Sequence, residues 1–97
     1  MQFETRTVPV VTTATAAQTL PENAVQVLSV VGLDGAATAI AATAYTVQST
    51  APASATEVQF TGTADTPSNT LTFDAALTAA GLLVVTYVAE GAIPAAQ

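Results

Sequence analysis

Large apolar and polar residues alternate at period two in several short stretches, and this alternation decides the fold class. It runs through Tyr45-Thr46-Val47-Gln48, Glu57-Val58-Gln59-Phe60-Thr61 and Thr70-Leu71-Thr72-Phe73-Asp74. Period two is the mark of a strand with one buried face. Ala-rich sequence is ordinarily helical, but here Ala is interleaved with Thr and Val, which lose rotamer freedom in helices and fit pleated surfaces. Val25-Gln26-Val27-Leu28-Ser29-Val30-Val31 reads as a fourth strand. Leu82-Leu83-Val84-Val85-Thr86-Tyr87-Val88 reads as a fifth, apolar on both faces apart from Thr86. A strand of that kind is either central in a covered sheet or partly buried by another subunit.

The punctuation between these runs agrees. Leu33-Asp34-Gly35 is a turn signal, since Gly35 can take the positive φ of a hairpin turn. Ala51-Pro52-Ala53-Ser54 is a loop, and residues 62–69 read as a long surface turn. Asp74 to Gly81 is the one stretch expected to be helical, for a single turn or a short 3₁₀ piece, with Asp74 as its cap and Gly81 as its end. The expected architecture is all-β: a single antiparallel β-sandwich of immunoglobulin-like or jelly-roll type, with extended N- and C-terminal arms. Residues 1–20 form the N-terminal arm and a possible edge strand, because Pro9 cannot donate to a ladder. Residues 21–90 form the sandwich core, and residues 91–97 the C-terminal arm.

Charge and residue types narrow the function. In 97 residues there are seven carboxylates against one basic residue, Arg6, for a formal charge of −6. There is no Cys, His, Lys or Trp, so no thiolate metal site and no His-, Cys- or Lys-based catalysis can be built. One positive charge cannot neutralise a phosphate backbone, so no nucleic-acid partner is expected. No run reaches the roughly 18 apolar residues of a membrane helix, and no membrane partner is expected. The N-terminus has no hydrophobic core and carries Glu4, unlike a secretory signal, which suggests synthesis in a host cytoplasm.

The remaining side-chain candidates are weighed against ordinary structural roles. Asp34, Glu57, Asp65, Asp74 and Glu90 could pair for acid–base hydrolysis, yet each sits at a turn or strand end where solvated acids are common. Asp65, Asn69 and Asp74 could hold Ca²⁺ with loop carbonyls, but no EF-hand loop is present. Tyr45 and Tyr87 could stack on a sugar, or could bury their rings at a rim. No catalytic residue, metal or cofactor is therefore expected. Val8, Pro9, Val10 and Val11 of the first arm, and Ile93 and Pro94 of the second, are the expected protein-interface residues. A surface covered by Thr and Ala can pack flat against another protein with little charge to desolvate.

One succession of motifs has a familiar form. A Leu33-Asp34-Gly35 turn is followed by Ala44-Tyr45-Thr46-Val47, then by Glu57-Val58-Gln59-Phe60-Thr61-Gly62. Asn69-Thr70-Leu71-Thr72-Phe73 and Leu83-Val84-Val85-Thr86-Tyr87-Val88 complete it. Across residues 24–89 this resembles the small β-sandwich decoration, or cement, proteins of tailed-bacteriophage capsids. Residues 36–43 depart from the pattern by lacking the Gly-Thr-Asp that precedes the tyrosine in many such modules. The resemblance implies a non-enzymatic structural protein of the virion, a homotrimer on the outer capsid surface, whose partner is the major capsid protein and which bridges capsomers. Related modules suggest an alternative, a phage tail, fibre or bacterial surface module that recognises a glycan or a cell-surface protein.

Overall fold

The computed structural model describes residues 2–32, 43–77 and 79–91. They form six strands and no helix: β1 (Gln2–Val11), β2 (Ala17–Gly32), β3 (Thr43–Gln48), β4 (Glu57–Gln59), β5 (Ser68–Phe73) and β6 (Leu82–Gly91). The strands lie in one sheet in the order β1-β6-β2-β3-β4-β5, and β5 also pairs with β2. The first half of β2 pairs with β5 at residues 17–24, and its last residues, 30–32, pair with β3. The ring β2-β3-β4-β5 thus closes into a small barrel, with β6 and β1 added along the other side of β2.

The all-β class is as expected. The pairing differs from an antiparallel sheet at one junction, where β3 and β4 run parallel, with Thr46, Val47 and Gln48 beside Glu57, Val58 and Gln59. The short 49–56 connection is fastened by side chains at the strand ends. Gln48 Nε2 donates to the Ala51 carbonyl at 3.1 Å, Gln59 Nε2 to the Ser49 carbonyl at 3.0 Å, and the Ala53 amide to Glu57 Oε1 at 2.6 Å. These bonds serve the loop's polar backbone where no strand neighbour does.

Residues 2–11 take the edge-strand form of the two expected, rather than that of a free arm. β1 pairs with β6 along its whole length, from Gln2 opposite Gly91 to Val11 opposite Leu82. The sheet also takes up Ala17 to Leu20, so the framework begins well before residue 21. The Thr12 amide donates to the Gly81 carbonyl at 2.9 Å, continuing the β1–β6 register. Hydrogen-bonded positions in such a pair alternate, so even-numbered residues of β1 bond to β6. The odd-numbered ones, Pro9 among them, present their backbone groups to the outer edge. A missing N–H at Pro9 therefore removes no ladder bond.

The stretch expected to be helical, Asp74 to Gly81, is a set of bends and turns in its described residues. Its backbone donors go to the 12–16 loop instead of to carbonyls four residues back. Phe73 donates to Ala16 O, Leu77 to Thr15 O and Ala80 to Thr12 O, at 2.8–3.2 Å. The Gly81 amide donates to the Thr12 hydroxyl at 2.8 Å. Ala80 takes a φ of 62° to make this turn. The same loop is held from the other side by Gln18, which is 2% exposed. Its amide donates to the Thr13 and Thr15 carbonyls at 2.9 and 2.8 Å and accepts from the Thr13 amide at 2.9 Å. A buried amide with both ends bonded carries no desolvation debt.

The buried side chains form one core cluster to which every strand contributes. β6 contributes Leu83, Val85, Tyr87 and Ala89, all fully buried, and β4 and β5 contribute Val58, Leu71 and Phe73. Burying each Val, Leu or Phe is worth about 1.5–3 kcal/mol. Tyr45 meets Phe73 edge to face, with ring centroids 4.9 Å apart. Gly62 sits where the chain crosses β2. A Cβ there would lie 2.8 Å from the Ala24 carbonyl oxygen and 2.4 Å from the Phe60 ring.

Candidate functional site

Strand parity separates the chemistry of the β1-β6-β2 layer into two faces. On β6 the odd-numbered side chains are fully buried, while Leu82, Val84, Thr86 and Val88 are half-exposed on the outer side. The outer side chains form rows across three strands. Pro9, Val84 and Val31 make one row, Thr7, Thr86 and Ser29 the next, and Thr5, Val88 and Gln26 a third. The Thr7 and Thr86 hydroxyls are hydrogen-bonded to each other at 2.9 Å. None of these nine residues carries a charge. β2 is bulged against β6 between Val27 and Ser29, which turns Leu28 outward at 49% exposure. Val11 and Phe3, at 68% and 46% exposure, stand at the two ends of β1. A bulge of this kind bends the strand and re-aims its side chains.

The charges of β1 fall on the inner side. Arg6 donates through Nη1 to both carboxylate oxygens of Glu22, at 2.7 and 2.5 Å, and through Nη2 to Glu4 at 3.3 Å. The buried Tyr87 donates its hydroxyl to Glu22 at 2.7 Å. That hydrogen bond, with the guanidinium beside it, holds the Glu22 carboxyl below its ordinary value. Burial, and then the Glu22 carboxylate, push the Tyr87 hydroxyl up to about 12. The one cation of the chain is thus spent on an internal corner, and the three outer rows carry no charge; Glu90, the acid near the end of β6, pairs with Phe3 beyond them.

The expected interface residues divide between the two faces. Val10 is 7% exposed in the core and Val8 packs against it, while Pro9 and Val11 lie on the outer face. The physical reason is that a paired strand must alternate its side chains, which a free arm need not do. Ile93 and Pro94 lie outside the described residues. Tyr45 and Tyr87 have their rings in the core, at 7% and 0% exposure, so neither offers a stacking platform. The Tyr45 hydroxyl is buried without a hydrogen-bond partner. Glu57 is engaged with the Ala53 amide, Asp65 and Asp74 are exposed at turns, and Asp34 lies outside the described residues. Among the described residues no three acidic side chains gather as metal ligands.

Nothing in the sequence singles out Glu22. A single Arg among seven acids must find a partner, but nothing in the spacing says which. The outer face was visible only as a composition, because its rows join residues some eighty positions apart. No protein-family model, no curated protein and no solved structure matches this chain.

Proposed function

We propose that this chain is a non-enzymatic structural protein of a phage virion, a decoration protein whose outer β1-β6-β2 face docks on the outer surface of the major capsid protein. The observation that carries this reading is the mismatch on β6: a strand apolar on both sides, with one side fully buried and the other left open among the described residues. The three uncharged rows of methyls and hydroxyls give up little hydration on docking. Each bound copy that buries about 1,000 Å² or more would add a small stabilisation, and bridging contacts multiply it over a shell. In the same reading the closed sheet is a collapsed sandwich, its β1-β6-β2 layer facing the β3-β4-β5 layer across the core. The alternative glycan-binding module loses its aromatic platform with the burial of Tyr45 and Tyr87.

The test is co-sedimentation of the purified chain with empty capsids of the major capsid protein from the same genome. Binding is expected to saturate at a fixed ratio. It is expected to be lost in a Thr86→Lys variant that keeps the parent melting temperature. Absence of binding by the parent, or undiminished binding by that variant, overturns the reading.

A further inference from the structure

The outer edge of β1 is unpaired among the described residues, and its sequence is self-complementary. We propose that two copies of this chain associate through these edges, antiparallel, about a two-fold axis through Thr5. The groups that face outward belong to Phe3, Thr5, Thr7, Pro9 and Val11. An antiparallel partner must therefore pair odd residues with odd ones to form bonds. Centred on Thr5, the pairing sets Phe3 opposite Thr7 of the second copy and joins the three outward amides ahead of Pro9. Glu4 then falls opposite Arg6 of the second copy, twice, at the non-hydrogen-bonded positions where facing side chains are closest.

The neighbouring registers are worse for stated reasons. A shift by one step one way sets Glu4 against Glu4, and the other way Arg6 against Arg6; like charges directly opposite destabilise a sheet. A further step sets Pro9 against Thr5 and loses the bonds that an N–H at Pro9 would make. Pro9 thus confines pairing to Phe3–Thr7, and the two charges choose the register within it. Long open edges without lysine are templates for strand addition. Here the only charges on the strand, Glu4 and Arg6, attract a second copy in one alignment. Arg6 already lies near Glu4 and Glu22, so the arriving carboxylate joins an ordered guanidinium. The resemblance implies three-fold assembly, whereas this edge supplies a two-fold contact that uses each strand once and closes.

Sedimentation equilibrium of the full chain from micromolar to millimolar concentration tests the inference, together with amide exchange of Phe3, Thr5 and Thr7. The expected result is a monomer–dimer equilibrium around the 9.6 kDa chain, with the three odd amides protected as the dimer fills. Thr5→Pro is expected to weaken the dimer at least about tenfold, a loss of ~1.4 kcal/mol. It leaves the bonds to β6 intact, as Pro9 already does. Glu4→Arg, which sets a cation opposite Arg6, is expected to weaken it similarly and covers the case in which Thr5→Pro fails to fold. A monomer at all concentrations, a trimer, or variant dimers as tight as the parent would overturn the inference. Capsid binding is read separately, so a monomer that still binds capsids overturns only this contact.

Discussion

The hydroxyl of Tyr87 donates to the Glu22 carboxylate at 2.7 Å, joining β6 to the bent first half of β2 across 65 positions of sequence. The other buried tyrosine, Tyr45, has a hydroxyl with no partner. The same substitution at the two sites should therefore differ in sign. Tyr87→Phe is expected to cost about 1–2 kcal/mol, because a charged acceptor loses a donor. Tyr45→Phe is expected to be neutral or stabilising, since it deletes only an unsatisfied group. Thermal melts of both variants check this, and equal losses would refute it.

Stability should fall at both ends of the pH scale, in large part through the same pair. Glu22 has its folded pKa lowered below 4.5, chiefly by the Tyr87 hydrogen bond and then by Arg6. Its contribution is present above 4.5 and lost as pH falls through the folded value. Tyr87 is raised from 10.0 to about 12, first by burial. The unfolded chain ionises first there, so the contribution is full below 10 and lost as pH rises toward 12. Urea midpoints measured across pH should show both shoulders, and Tyr87→Phe should shrink the alkaline one to the part left by Tyr45, whose hydroxyl burial also pushes up.

Gly62→Ala should destabilise by about 1–3 kcal/mol, the usual cost of overpacking. The added methyl meets the Ala24 carbonyl, a backbone atom of the central strand that cannot swing aside. A melting temperature equal to the parent's would show that the crossing is looser than this.

Ala80→Gly should raise stability by up to about 1 kcal/mol. Ala80 holds φ at 62°, a left-handed conformation that costs an L side chain roughly that much, and glycine reaches it without strain. Denaturant titration reads the gain.

Deleting residues 1–11 should abolish soluble folded protein. The deletion removes Val10 from the core and strips the neighbour from Leu83, Val85 and Tyr87 on β6. A truncated chain with the parent's circular dichroism and melting point would show that β1 is dispensable.

Much of the strand pattern was readable in the residues. β3, β4 and β5 follow from their period-two runs, because an inward position there carries a large apolar side chain and its neighbour does not; β6 follows from a β-branched run apolar on both faces. For β1 the sequence leaves an arm and an edge strand both open, because Pro9 in a run uncharged after Arg6 cannot donate to a ladder, and the structure makes it an edge strand. Only the pairing register shows that the missing N–H of Pro9 faces the outer edge. β2 runs straight through the boundary expected at residues 20 and 21, and its register against β5 shifts between Thr19 and Ala24. Asp74 to Gly81 has helix-like spacing, but its donors are captured by a loop sixty residues earlier, which local propensity cannot anticipate. The outer β1-β6-β2 face was legible as Thr-rich. Its membership was not, since facing residues such as Thr7 and Thr86 are brought together by tertiary pairing alone.

Gln2 lies opposite Gly91 in the β1–β6 ladder. Anything joined ahead of the first strand and anything joined behind the last would leave the molecule from one corner. A linker of a few residues could connect the two, so the chain could be reopened elsewhere, within 49–56 for example, without dismantling the sheet. Two different cargoes, one on each end, would be carried side by side.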